Sequence, residues 1–250
     1  MLPHRNRGKI MNWEPWTGCY KESDGCTYCY FYGPYSKRHG QNTIEKTPEF
    51  DKPLRKNAKG EFKIGSGKIV ATCFATDFFL PEADEWRKDA WDMIRQRPDL
   101  DFLILTKRIE RFLVSLPDDW GNGYDNVNIG CTVENQALTD YRLPFFLSYP
   151  IKRRFVACSP LLEGIDLSSY LSGIDHVTVN GETSREARIC DYDWVLDIRR
   201  QCVVADVTFW FKGTGSLFKL DGEVQKVNPF KQSSLAKELD INILDGKRLF

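Results

Sequence analysis

Apolar and polar positions settle into a regular alternation only from Lys68 onward. KIVATCFATDFF (68–79) is a β-rich apolar run. In EADEWRKDAWDMIRQRP, which follows it, Trp86, Ala90, Met93, Ile94 and Arg97 recur at helical spacing until Pro98 stops them. LDFLILT (100–106) is short and almost continuously apolar, the pattern of a strand buried on both faces of a parallel sheet. KRIERFLVSL (107–116) then has a helical pattern. The alternation repeats: NVNIGCTV (126–133) predicts a strand, NQALTDYRLPFFLSY a helix bent or broken near Pro144, and RRFVACSP (153–160) a strand before a short LLEGIDLSSYL segment. DHVTVNG (175–181) predicts the next strand, DYDWVLDIRRQCVVA (191–205) a helix with Asp191 as N-cap, and DVTFWFK (206–212) the last strand.

With a short strand at about residues 9–13, this makes seven β segments with helices between most of them. Repeated β-then-α units imply a parallel sheet. The fold class is therefore α/β, a full or partial (β/α) TIM-like barrel of about seven parallel strands. A doubly wound open sheet is the alternative, since periodicity does not reveal closure. About 250 residues suffice for one such barrel, so residues 1–250 are read as a single domain. A polar, Gly/Pro/Lys-rich excursion interrupts it at about 33–67.

Charge narrows the partners. The 35 basic and 35 acidic side chains cancel, which removes any overall positive field toward nucleic acid or an anionic membrane. Basic clusters at Lys37 and Arg38, at 52–59 and at 152–154 keep a nucleic-acid partner open. No run approaches the roughly 18–20 apolar residues of a membrane span. Eight cysteines behind a polar start, MLPHRNRGKI, predict a reducing cytoplasm with free thiols. Cys73, Cys131 and Cys158 stand singly in apolar runs and predict small buried side chains instead of a secreted disulfide framework.

In barrels of this kind the working face lies at the carboxyl ends of the strands. The polar residues that end the apolar runs are Asp77, Lys107, Glu134, Ser159, Glu182 and Lys212. The loop after the first strand, WEPWTGCYKESDGCTYCY (13–30), belongs to the same face and carries Cys19, Cys26 and Cys29 in a C-x6-C-x2-C array. Three thiolates without an evident fourth protein ligand suit a metal centre with an open coordination position. Spacing alone leaves three chemistries open: an iron–sulfur cluster, a structural zinc with His39 or another histidine as fourth ligand, and a redox C-x2-C pair that leaves Cys19 unexplained.

CTYC (26–29) is similar to the second half of the cluster motif of radical S-adenosylmethionine enzymes. In those enzymes three cysteines hold three irons of a [4Fe-4S] cluster, and the fourth iron binds the amino and carboxylate groups of S-adenosylmethionine. More of the chain is covered by WEPWTGC, DGCTYCY, DFLILTKRIERF, VNIGCTVENQ, RRFVACSPLLEGIDL, HVTVNGETS, DWVLDIRRQC, FWFK and ILDGKRLF. In that order these blocks resemble the phage-associated, radical-SAM-like family with a wide-spaced three-cysteine motif.

The resemblance implies a barrel, a [4Fe-4S] cluster on Cys19, Cys26 and Cys29, and S-adenosylmethionine as cosubstrate. It further implies a reductant such as flavodoxin or ferredoxin, and a 5'-deoxyadenosyl radical acting on a substrate that the phage setting tilts toward nucleic-acid-related chemistry. Lys107, Glu134 and Glu182, with Asp77 and Lys212 behind them, are the candidates for polar contacts to cofactor or substrate. No catalytic residue is assigned. The chain departs from the superfamily pattern in having six residues, not three, between its first two cysteines. It has Ser159 where family members usually carry Glu, Gly213 where they carry Gln, and TDFF where many radical enzymes place Gly-Gly-Glu. The competing class is a binding module, in which zinc or an iron–sulfur centre holds a nucleic-acid or protein recognition surface without radical chemistry.

Overall fold

The computed structural model describes residues 10–32, 43–114 and 116–243. In chain order its strands are β1 (Met11–Trp13), β2 (Trp16–Thr17), β3 (Glu45–Lys46), β4 (Ile69–Thr72), β5 (Asp101–Thr106) and β6 (Val127–Thr132). They continue with β7 (Arg154–Cys158), β8 (His176–Asn180), β9 (Ile189–Asp191), β10 (Thr208–Gly213), β11 (Leu217–Leu220) and β12 (Glu223–Lys226). The α-helices are α1 (Asp84–Arg95), α2 (Gln136–Ser148), α3 (Tyr192–Val204) and α4 (Gln232–Glu238).

Seven strands form one all-parallel sheet in the order β1-β4-β5-β6-β7-β8-β10, curled into a half-barrel and flanked by helices. This is the partial TIM-like barrel that the apolar runs predict. The continuous apolar character of these runs follows from burial on both faces: all six residues of β6 are buried. One core joins sheet and helices. On one side Phe78 meets Trp91 at 4.9 Å and Trp91 meets Trp120 at 5.0 Å between ring centroids. Each such ring, taken fully out of water, contributes about 1.5–3 kcal/mol.

Local chemistry sets where the elements start. Asn135 caps α2 by accepting the Leu138 N–H at 2.9 Å, and Asp191 caps α3 by accepting the Asp193 N–H at 3.1 Å, as its position predicts. Asp84 and Glu85 occupy the first turn of α1, where carboxylates complement the helix dipole.

The structure departs from the pattern reading in several places. The run 68–79 yields a strand only as far as Thr72, because Cys73 turns left-handed at φ 57° and the rest is loop. Among the described residues of 107–116 the only helical element is a single 3-10 turn, Ile109–Arg111. The backbone of Arg108 is non-helical and its guanidinium reaches back to Asp77 and the Tyr20 carbonyl. Pro144 lies within α2 without ending it, in a helix already anchored by the Asn135 cap. The first strand is Met11–Trp13, and residue 9 lies outside the described residues.

The described part of the polar excursion, from residue 43, adds only the two-residue β3, paired antiparallel with β2, and short turns. Arg97, wholly buried, fastens it. Its guanidinium bonds the Pro53 and Ile64 carbonyls and both oxygens of Asp99, and Phe62 lies 4.1 Å from it.

Beyond the barrel, β9, β11 and β12 make a three-stranded sheet absent from the pattern reading. At the far edge β10 is covered by an antiparallel bridge from Phe209 to Ile243, with both backbone hydrogen bonds at 2.9 Å. No helix among the described residues is long and apolar enough to cross a membrane.

Candidate metal and cofactor site

The chain leaves β1 and turns over the carboxyl ends of the neighbouring strands. Trp16, wholly buried, donates its indole N–H to the Asp77 carbonyl at 3.0 Å, which ties the start of this loop to the loop after β4. Asp24–Cys26 and Tyr30–Tyr32 are single 3-10 turns, and Cys29 lies between them, its N–H donating to the Cys26 carbonyl at 3.3 Å. The Tyr32 hydroxyl returns to the Cys19 carbonyl at 2.9 Å. These closures bring Cys19, Cys26 and Cys29 onto the wall of one cavity of about 450 Å³. None is in a disulfide, and neither is any of the other five cysteines. Burial pushes the Cys19 thiol up to about 12, with Asp77 adding to the shift, and burial also raises Cys29. A metal taken up here would displace protons from these thiols.

Beneath this loop lies Glu134, at the end of β6 and fully buried. Its carboxylate meets the Lys107 ammonium on one oxygen and Arg142 at 3.0 Å on the other, and accepts the Ser23 hydroxyl at 2.8 Å. Gly25 rests directly on it: a Cβ there would stand 2.6 Å from the Glu134 Cγ. Two cations and a hydroxyl compensate a charge that burial alone would make costly. Burial, with Arg142 adding to it, draws the Lys107 ammonium down to about 8, while Cys26, Cys29 and Asp77 act in the opposite direction.

Two further carboxylates hold the loop from its flanks. Asp77 accepts the Phe79 N–H at 2.9 Å, the Thr106 hydroxyl at 2.8 Å, the Lys107 N–H at 2.9 Å and Arg108 at 3.1 Å. Arg108 goes on to the Tyr20 carbonyl at 2.9 Å and to Glu22 at 3.2 Å. Glu182 is gripped by Arg188 through both oxygens, at 2.8 and 3.1 Å, and the same guanidinium donates to the Asp24 carbonyl at 2.8 Å. Each carboxylate thus reaches the cysteine loop through an arginine that the pattern reading passed over.

A family model matches residues 10–248, which takes in the cysteine loop and every strand of the half-barrel. The chain belongs to the DUF5131 family. That family is described as a protein of unknown function. No curated protein matches the chain, and no solved structure does.

In this DUF5131 chain the cavity draws together most of the residues singled out at the strand ends. Asp77, Lys107, Ser159, Glu182 and Lys212 line it with the three cysteines. Glu134 does not; it lies under the loop as a support. Phe155 reaches into the same space because Gly130 on β6 has no side chain: a Cβ there would be 2.2 Å from the Phe155 ring. His176, the histidine among the described residues, begins β8 at the opposite end of the strands, bonded to the Thr208 hydroxyl at 2.8 Å. It is thus not placed to complete a zinc site with the cysteines. His4 and His39 lie outside the described residues.

Sequence reasoning missed Arg108, Arg142, Arg188 and Trp210. For Arg142 a signal existed, since it stands eight residues after Glu134, two turns into the helix that the strand end feeds.

Proposed function

We propose that the protein is a radical S-adenosylmethionine enzyme, with Cys19, Cys26 and Cys29 as the ligands of a [4Fe-4S] cluster. The observation that supports this reading is that three cysteines outside any disulfide line the wall of one cavity at the carboxyl ends of parallel strands. The donor set fits the group, because soft thiolates suit iron–sulfur clusters and three of them leave one iron open.

When bound and reduced, for example by flavodoxin or ferredoxin, such a cluster supplies the electron that cleaves S-adenosylmethionine and starts radical chemistry. The chain's own residues hold and shield. Glu134 props the Ser23–Gly25 turn, Arg108 and Arg188 clamp the loop carbonyls of Tyr20 and Asp24, and Tyr28, Phe31 and Tyr32 wall the cavity beside the cysteines. A site assembled this way is organised before any ligand arrives. Lys107 and Glu182 remain the candidates for polar contacts to the cosubstrate.

Anaerobic reconstitution with iron and sulfide, followed by absorption and electron paramagnetic resonance spectroscopy and a dithionite-driven assay for 5'-deoxyadenosine, tests the reading. A cluster that cleaves S-adenosylmethionine is expected. A colourless, zinc-loaded protein would refute it, and a cluster without cleavage would favour a binding module. Cys26→Ala is expected to abolish the cluster, whereas Cys131→Ala, buried within β6, leaves iron content unchanged.

A further inference from the structure

Five charged side chains line the cavity: Asp77, Lys107, Arg108, Glu182 and Lys212. Four are satisfied inside the protein, Asp77 by Arg108, Lys107 by Glu134 and Glu182 by Arg188. Lys212 has no hydrogen-bond or ion-pair partner among the described residues. It also sits where the ladder is broken. β10 pairs with β8 in step as far as Phe211, opposite Val179, but Gly213 then faces Asn180, so Lys212 is the extra residue of a bulge. Bulges re-aim side chains, and they recur beside active sites. Here Lys212 and Trp210, two residues apart and so on one face of the strand, both line the cavity, while Phe209 and Phe211 are buried in the core.

The surroundings match an anion. Ser159 and Ser233 line the same cavity, the Ser233 hydroxyl beside Gly213, and neither hydroxyl has a partner among the described residues. Lys212 is exposed on the strand and open to the cavity, and partial desolvation by the surrounding wall lowers its ammonium from its ordinary value. β10 is one edge of the curled sheet, and β1, which leads into the cysteine loop, is the other.

We propose that Lys212 anchors the anionic group of the substrate, a carboxylate or a phosphate, with Trp210, Ser159 and Ser233 completing the subsite. An anion landing there supplies the missing counter-charge and can accept from two serine hydroxyls, and its charge-assisted hydrogen bond to the ammonium is stronger than a neutral one. The uncharged remainder of the molecule then extends along the apolar part of the wall, past Phe155 and Leu105, toward the cysteines. The inference rests on the balance of charge around the wall and stands whether or not the cysteines hold a cluster.

Reductive methylation of the full chain, followed lysine by lysine by mass spectrometry, tests it. It is run on both cluster-free and reconstituted protein at constant ionic strength. Inorganic phosphate or succinate is expected to slow modification of Lys212 saturably, roughly fivefold or more near saturation, and to leave the exposed Lys226 unchanged. Protection by phosphate alone assigns a phosphorylated substrate, and protection by succinate alone a carboxylic acid. No protection by either, equal slowing at Lys226, or protection by S-adenosylmethionine alone would overturn the assignment. As a second measurement, Lys212→Arg should keep the anion-induced rise in melting temperature and Lys212→Met should lose it; a rise retained in Lys212→Met would count against the subsite.

Discussion

Gly25 lies against the carboxylate side chain of Glu134, so close that a Cβ on the glycine would stand 2.6 Å from the glutamate Cγ. The cysteine loop is thereby seated on a charged group that is itself buried and doubly paired. Gly25→Ala should lift the loop and cost roughly 1–3 kcal/mol, the usual penalty for overpacking. Iron content after anaerobic reconstitution should fall with it. Urea denaturation and iron analysis of one preparation check both, and full loading at unchanged stability would show that the contact does not seat the loop.

Removing the support from below should be costlier. Glu134→Ala leaves Arg142, nearly inaccessible to solvent, and Lys107 without their shared counter-charge. Losing one partner of a buried pair costs about 3–5 kcal/mol. The double substitution Glu134→Gln with Arg142→Met is expected to recover part of that loss, because no unpaired guanidinium is left buried. Denaturant midpoints of the single and double variants make the comparison.

Glu14, just after β1, gives a pH signature. Its carboxylate accepts the Phe74 and Ala75 N–H groups at 3.0 and 3.1 Å through one oxygen, while the other is buried without a partner. Burial pushes its pKa up from 4.5 to about 7. The native state therefore holds this proton more tightly than the unfolded chain does. The resulting stability is fully present below about pH 4.5, is lost as pH climbs toward 7, and does not change further above that. Over this window the loss is on the order of 3 kcal/mol. Glu14→Gln should remove the dependence, so the variant gains on the wild type between pH 4.5 and pH 8 in denaturation midpoints measured side by side. A constant difference across that range would contradict the assignment.

Arg97→Met should release the polar excursion from the body of the protein. The substitution removes the guanidinium that bonds the Pro53 and Ile64 carbonyls and Asp99. Trypsin is expected to cut faster at Arg55, Lys56, Lys59 and Lys63, with little change in the rate of cleavage within α3. Limited proteolysis read by mass spectrometry distinguishes this local release from global unfolding.

The strands were legible wherever burial on both faces made them continuously apolar, as in LDFLILT and NVNIGCTV. The same logic hid β12, whose EVQK is exposed at all four positions, and the three-residue β9, too short to show a period. KRIERFLVSL misled because its helical spacing is real, while the long-range pull of Asp77 on Arg108 decides the backbone. At the site, the strand-end rule found the side chains that line the cavity. It could not distinguish Lys107, which is paired, from Lys212, which has no ion-pair partner among the described residues, since charge pairing across the fold leaves no trace in local pattern. The arginines that clamp the loop escaped for the same reason, Arg188 meeting Asp24 across 164 positions of chain.

A half-barrel, unlike a closed one, has two raw edges, and each is a template for another chain to add to. The β1 edge is kept to three residues. The β10 edge is occupied by Asn242 and Ile243, which take up the backbone groups of Phe209 and Phe211. This short C-terminal cover thus works against aggregation: trimmed before Asn242, the protein would present an aromatic strand, TFWF, ready to recruit its own copies into larger assemblies.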